Sequence, residues 1–214
     1  MIITVKQSIW LQHIIIKNNG VNYLPRPKVK INKYADVFSE FLQKLQIEDA
    51  IYIGHSYGGR ILINLAVRKQ LEAEKLILVD ASGVGINEGT INIKKIVSKI
   101  VKPIFKIPAL QGLRMKIYQS MGAEDYIVSQ DSPFFKATYL NILKDKYNQL
   151  LNNIKIPTYL IWGENDKDTP IEMALTMEQD IQGSKLEFIL DAGHFPFLEN
   201  PKEFEKVLLN FLEN

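Results

Sequence analysis

Hydrophobic residues recur along this chain with two different spacings, and segments with one spacing alternate with segments that have the other. Short, nearly all-apolar runs of the kind found in buried parallel strands lie at 51–53, 76–79, 158–162 and 186–190. Between and beside them, apolar residues repeat at helical spacing, as in the stripe Tyr34, Phe38, Phe41, Leu42 and Leu45, and again over 60–66, 170–181 and 201–212. Alternating strands and helices predict an α/β protein with a mostly parallel, doubly wound sheet.

The stretch from about 81 to 153 interrupts this alternation. Its apolar stripe is Ile93, Ile96, Val97, Ile100, Val101 and Ile104, and prolines at 103, 108 and 133 divide it into short helices. We therefore expect a core formed by residues 1–83 and 154–214 and a helical cap inserted at 84–153. Seven basic residues and one acidic residue between 86 and 116 give a local charge of +6 (7 − 1). That charge would also suit a helix on a membrane surface, but we expect the stripe to pack on its own protein while the lysines face water.

Composition narrows the class of protein further. The 214 residues suit one domain, and the formal charge of +2 gives no reason to expect nucleic acid as a partner. Because the chain has no cysteine, disulfides, thiolate metal sites and a cysteine nucleophile are excluded. The short N-terminal elements that we predict (a strand at 1–5, a helix at 8–17 and a strand at 21–24) do not resemble a signal peptide, so we expect a cytoplasmic protein.

The sequence Gly54-His55-Ser56-Tyr57-Gly58-Gly59 joins the first predicted core strand to the helix that follows it. A G-x-S-x-G sequence in a strand–turn–helix setting is typical of a nucleophile elbow. In such a turn the serine has a strained backbone and needs small flanking residues, here Gly54 and Gly58, and the next helix directs its positive end at the reacting group. A glycine-rich phosphate loop is the alternative interpretation of the motif alone.

A serine nucleophile needs a base and a group that orients that base. Of the three histidines, His13 has no motif around it and His55 should point away from Ser56 because the two are adjacent. His194 lies in a loop after a strand, from which it could reach Ser56 across the sheet edge. For the orienting acid the residues alone leave three candidates, Asp166, Asp168 and Asp80.

Three stretches together resemble the α/β-hydrolase superfamily, in particular its cap-bearing esterases and meta-cleavage-product hydrolases. They are the elbow, Trp162-Gly163-Glu164-Asn165-Asp166-Lys167-Asp168-Thr169-Pro170, and Gly193-His194-Phe195-Pro196-Phe197-Leu198-Glu199-Asn200-Pro201. The resemblance implies an α/β-hydrolase fold with a helical cap, with Asp166 as the acid. The N–H of Tyr57 is implied as one oxyanion donor. The chain departs from the family near its N-terminus, where the His-Gly loop that supplies the second donor is replaced by Val5-Lys6-Gln7-Ser8.

The sequence therefore predicts a serine hydrolase that cleaves a carboxylic ester or a related small acyl substrate through an acyl-enzyme. Ser56 is the expected nucleophile, His194 the base and Asp166 its orienter, with no metal and no organic cofactor. The expected partner is a small, apolar ester or acyl compound, whereas nucleic acid and membrane surfaces are not expected. A competing hypothesis is a catalytically weak or inactive hydrolase-fold binding protein whose oxyanion hole is incomplete. A truncated reading frame is a third.

Overall fold

Four parallel strands form the sheet in the computed structural model, which describes residues 30–85 and 144–213. The strands are β1 (Ala50–His55), β2 (Ala73–Val79), β3 (Thr158–Gly163) and β4 (Lys185–Ile189), in the spatial order β1-β2-β3-β4. The register pairs His55 with Val79, Val79 with Ile161, and Gly163 with Ile189. The carboxyl ends of all four strands therefore meet along one edge of the sheet.

Helices cover both faces of this sheet, as the all-apolar strand pattern predicts. The helices are α1 (Ile31–Lys44), α2 (Tyr57–Val67), α3 (Ile171–Asp180), α4 (Pro196–Glu199) and α5 (Pro201–Glu213), together with a 3-10 helix at Asn148–Asn153. Because side chains alternate along a strand, Leu76 and Leu78 belong to the core with α1, α2 and α3. Ile77 and Val79 belong to a second core with α5. All four side chains are fully buried, and the predicted doubly wound architecture is confirmed.

The ends of the predicted cap segment are described, and they pack on the core. Leu151 lies in the 3-10 helix and Tyr147 directly precedes it, and both are buried in the same cluster as α2 and α3. The predicted helix at 93–104 and the predicted elements before residue 30 lie outside the described residues, so the division into core and cap stays a prediction. Among the helices in the described ranges, none combines the length and apolar character that crossing a membrane requires.

Candidate active site

The predicted nucleophile lies at the end of β1 in a backbone conformation that few residues adopt. Ser56 has φ 50° and ψ −112°, whereas L-residues strongly prefer negative φ. Close packing explains the glycine two positions earlier, because a Cβ on Gly54 would lie 2.8 Å from the Gly59 Cα and 2.6 Å from the Leu62 side chain. The turn therefore has the strained geometry that the elbow motif predicts.

Helix α2 begins immediately after the serine. The Ser56 carbonyl accepts hydrogen bonds from the N–H of Arg60 at 3.2 Å and from the N–H of Ser82 at 3.0 Å, which ties the turn to the helix and to the end of β2. Since Tyr57 is the first residue of α2, its N–H belongs to the first turn, whose N–H groups have no partner within the helix. The helix therefore presents partial positive charge beside the Ser56 side chain.

His194, in the loop after β4, reaches Ser56 at the end of β1 along the same edge of the sheet. Its Nε2 lies 3.0 Å from the Ser56 Oγ, although the two residues are 138 positions apart in sequence. Its Nδ1 lies 2.8 Å from the Asp166 Oδ2, and the Asp166 side chain is fully buried. A carboxylate only accepts hydrogen bonds, so Nδ1 carries the proton and Nε2 is left to accept one from Ser56. The three side chains thus form a continuous hydroxyl–imidazole–carboxylate chain.

Asp166 is held by donors from its own loop as well as by His194. Its Oδ1 accepts the N–H groups of Asp168 at 2.7 Å and Thr169 at 3.0 Å, and its Oδ2 accepts the Thr169 hydroxyl at 2.6 Å. Trp162 fixes the far end of this loop, since its indole N–H donates to the Thr169 carbonyl at 2.6 Å. Burial alone would raise the pKa of Asp166. The hydrogen bonds from His194 and Thr169 outweigh that effect, and the net pKa lies below its usual value.

The other two candidate acids occupy different places. Asp168 is exposed to solvent, and its backbone N–H, described above, is what it contributes to the site. Asp80 is fully buried at the end of β2, and its Oδ1 accepts the Gly163 N–H at 2.9 Å. Of the three acids, Asp166 is the one that bonds His194 in the structure.

Two further residues hold the loop that carries His194, and sequence reasoning gave neither a role. His55 is buried, its Nε2 donates to the His194 carbonyl at 2.6 Å, and its ring packs 4.9 Å from the His194 ring. Glu199 accepts the N–H of Gly193 at 2.7 Å and the N–H of Phe195 at 3.0 Å, one on each carboxylate oxygen. The signal for Glu199 was its place in the third matched stretch. The signal for His55 was the alternation of side chains along a strand, which places residues 51, 53 and 55 on the same face of the sheet.

Burial lowers the pKa of His55 to about 4, so its ring is neutral at neutral pH and can donate from Nε2. A strand-end histidine therefore serves as a fixed hydrogen-bond donor beneath the His194 loop.

The described ranges contain one group of side chains that could also bind a metal ion, formed by Asp80, Asp166 and His194. One ligand atom from each lies within 4.8 Å of the others. Asp166 and His194 are already bonded to each other, as in a triad that orients an imidazole.

Comparisons with known proteins agree with this arrangement. A profile of the alpha/beta hydrolase family matches residues 25–207. A 2-hydroxy-6-oxononadienedioate/2-hydroxy-6-oxononatrienedioate hydrolase from a Pseudomonas species is 24% identical over an alignment 216 positions long, which covers 93% of this chain and 76% of that protein. A pimeloyl-[acyl-carrier protein] methyl ester esterase from Nitrosospira multiformis is 26% identical, covering 88% of this chain and 78% of the relative.

Solved structures share the fold. A bromoperoxidase from Bacillus anthracis superimposes with a TM-score of 0.67 at 18% identity, covering 91% of this chain and 78% of that one. The chain is shorter than its relatives, and it spans 65% of an uncharacterized protein of Mycobacterium tuberculosis that it matches. Since the family profile covers most of the chain and the sheet order, helix placement and strand-end site agree with it, the protein belongs to the alpha/beta hydrolase family.

Proposed function

We propose that this protein is a serine hydrolase that cleaves a carboxylic ester or a related acyl compound through an acyl-enzyme. The observation that carries the proposal is the chain of contacts from the Ser56 Oγ to the His194 Nε2 at 3.0 Å and from the His194 Nδ1 to the Asp166 Oδ2 at 2.8 Å. It occurs at a serine held in the strained elbow conformation. A hydroxyl in this setting can lose its proton to the imidazole as it attacks a carbonyl carbon.

The steps follow from the positions of the donors and acceptors. Ser56 Oγ bonds to the carbonyl carbon while its proton moves to the His194 Nε2, and Asp166 stabilises the imidazolium through Nδ1. Collapse of the tetrahedral intermediate breaks the ester C–O bond, and His194 returns the proton to the leaving alcohol. Water, activated by the same imidazole, then hydrolyses the acyl-Ser56 ester and regenerates the hydroxyl.

The negative oxygen of the intermediate needs hydrogen-bond donors. The N–H of Tyr57, at the first position of α2, is the donor that we assign, because it adjoins Ser56 and has no partner within the helix. The sequence region expected to supply a second donor lies outside the described residues. One missing donor typically costs ~10²–10³ in turnover, so a single-donor site would still hydrolyse activated esters.

The substrate class that we propose is a small apolar acyl ester. The names of two relatives support hydrolysis as the reaction, since one is a methyl ester esterase and the other a 2-hydroxy-6-oxononadienedioate/2-hydroxy-6-oxononatrienedioate hydrolase. Each methylene that an apolar acyl pocket buries is worth ~0.8 kcal/mol. We therefore expect kcat/KM for p-nitrophenyl esters to rise from acetate to hexanoate. A flat or falling series would contradict an apolar acyl pocket without affecting the assignment of the nucleophile.

A fluorophosphonate probe tests the proposed reaction, because it labels a serine only when the base beside it is functional. We expect stoichiometric labelling of the full chain on the peptide that contains Ser56, competed by p-nitrophenyl ester. The matched control is Ser82→Ala, which removes a hydroxyl that follows β2 and donates to the Ser56 carbonyl at 3.3 Å but lies outside the contact chain. A folded protein that does not label would favour the alternative of a hydrolase-fold binding protein.

A further inference from the structure

Asp80 is a buried carboxyl group that the proposed reaction does not use. It follows β2 directly, has φ 42°, and is fully buried. Its Oδ1 accepts one hydrogen bond, from the Gly163 N–H at 2.9 Å, whereas its Oδ2 has no hydrogen-bond partner among residues 30–85 and 144–213. A buried carboxylate that receives a single neutral donor is strongly disfavoured, but a protonated carboxyl is not.

The neighbouring Asp166 has the opposite surroundings. Its two oxygens accept four hydrogen bonds, from the Asp168 N–H, from the N–H and hydroxyl of Thr169, and from the His194 ring. Ligand atoms of Asp80, Asp166 and His194 all lie within 4.8 Å of one another. Two buried carboxyl groups this close do not both ionise under ordinary conditions, so one of them keeps a proton. The distribution of donors places the charge on Asp166.

Asp80 also anchors both ends of the loop that carries Asp166. Its side chain holds the Gly163 N–H before the loop, and its own backbone carbonyl oxygen lies 3.0 Å from the Thr169 hydroxyl oxygen after it. The one proton of that hydroxyl is donated to the Asp166 carboxylate, whose Oδ2 is nearer at 2.6 Å. A negative charge on Asp80 would compete with Asp166 for the His194 proton, whereas a neutral carboxyl can hold the loop without doing so.

We propose that Asp80 is a positioning residue that carries a proton in the folded protein, so that it fixes the Asp166 loop while leaving a single negative charge beside His194. Its effect on catalysis rests on the function proposed above, whereas its protonation does not. Burial raises the pKa of Asp80 to about 10; the Gly163 N–H opposes the rise, whereas the charge of Asp166 and a hydrogen bond that protonated Asp80 can donate to it add to the rise. Among the described residues, Asp166 and Glu199 act on it through their charges, and His194 has a ring nitrogen within 4.8 Å of it. The His55 ring centroid lies 4.9 Å from that of His194.

Proton linkage gives a test that does not depend on activity. If the folded protein keeps a proton on Asp80 that the unfolded chain has released, the unfolding equilibrium constant of wild type rises about tenfold per pH unit relative to Asp80→Asn between about pH 5 and 8. Urea unfolding of both full-length proteins at several pH values measures this ratio, and contributions of other groups cancel in it. Glu205→Gln, which changes an exposed acid on α5, should give a ratio that is flat with pH. A flat ratio for Asp80→Asn as well would overturn the proposal.

If Asp80→Asn does not fold, infrared spectroscopy of the wild type replaces it. A protonated carboxyl has a carbonyl stretching band that a carboxylate lacks, and this band should be present at pH 7. Its absence would overturn the proposal.

Kinetics test the positioning role. Asp80→Asn keeps a neutral group that can accept the Gly163 N–H, so kcat/KM should stay within about threefold of wild type and the midpoint of its acidic limb should not move. Asp80→Leu removes the acceptor and should lower kcat/KM at least tenfold below Asp80→Asn. A downward shift of the midpoint by a unit in Asp80→Asn, or equal activity in the two variants, would contradict the role. Failure of Ser56 to label would refute the proposed function and leave the unfolding ratio unchanged.

Discussion

The two halves of the candidate site are held in place in different ways. Ser56 is positioned by the backbone of its own neighbourhood, through a positive φ, a tightly packed Gly54 and the start of α2 one residue later. The acid–histidine half is positioned by side chains from elsewhere in the chain. His55 holds the His194 carbonyl from 139 residues away, and Asp80 holds Gly163 from 83 residues away.

This difference has a consequence for mutational sensitivity. The elbow should tolerate changes in the side chains around it but not changes in its backbone, whereas the acid–histidine half should respond to single polar substitutions at a distance. A misplacement of about 1 Å in a catalytic group can cost on the order of 10²-fold in rate. Distant side chains whose substitution leaves the rate unchanged would contradict this difference between the two halves, and the sizes of the losses at the others rank their contributions.

The largest effect is expected at the nucleophile. Ser56→Ala removes the attacking oxygen and should reduce ester turnover to the background rate. Its free energy of unfolding should stay within about 1 kcal/mol of wild type, because the hydroxyl contributes little to packing. Initial rates with p-nitrophenyl acetate and a urea titration measure the two quantities. Unchanged turnover in this variant would refute the assignment of Ser56.

The next effect is expected at the acid. Asp166→Asn favours the wrong imidazole tautomer, a change that costs up to about 10⁴-fold in kcat in a comparable triad. Asp168→Asn, two residues on in the same loop, is the matched control and should cost less than about threefold, because Asp166 is the acid that bonds His194 and the variant keeps the Asp168 N–H that bonds Asp166. If the two variants lose the same activity, His194 is oriented by another group.

A smaller loss is expected at the support of the His194 loop. Glu199→Ala removes the acceptor for the N–H groups of Gly193 and Phe195 on either side of His194. We expect kcat to fall about tenfold while fluorophosphonate labelling slows in proportion. Glu205→Ala, an exposed acid on the next helix, should leave both unchanged. An effect of Glu199→Ala no larger than that of Glu205→Ala would show that the loop holds its shape without the carboxylate.

The elements of the fold that sequence reasoning predicted are those with strong local signals. The fully buried run Leu76–Val79 is apolar at every position because helices cover both of its faces, and Pro170 and Pro201 stand at the helix starts where proline is tolerated. The elbow motif predicts its own backbone strain, which the positive φ of Ser56 bears out.

The supporting contacts of the site were not predictable in the same way. His55 and Glu199 act on the His194 loop through hydrogen bonds to backbone groups, and a backbone partner leaves no pattern of residue types in the sequence. Asp80 was one of three acids at strand ends, and its burial beside Asp166 depends on the strand order β1-β2-β3-β4. Long-range register, rather than local sequence, decides which of these groups meet.

At His55 the expected effect is on stability, through a dependence of the free energy of unfolding on pH. Because burial lowers its folded pKa to about 4 from 6.5, the unfolded chain binds the proton more readily. The stability contributed by neutral His55 is present above about pH 6.5 and is lost as the pH falls toward 4, by up to about 3 kcal/mol. His55→Gln should lack this loss relative to wild type in urea titrations at pH 7 and pH 4.5. An equal change in the free energy of unfolding between pH 7 and pH 4.5 in the two proteins would contradict the buried, neutral state of His55.

The central claim, that Ser56 carries the acyl group, is tested most directly by trapping the intermediate. Wild-type protein is mixed with p-nitrophenyl acetate, quenched in acid within seconds and analysed by intact-mass and peptide-mass spectrometry, with Ser56→Ala treated in parallel. We expect one acetyl adduct in the wild type, on the peptide that contains Ser56, and none in the variant. Full turnover with no adduct on Ser56, or an adduct that persists in Ser56→Ala, would contradict the account.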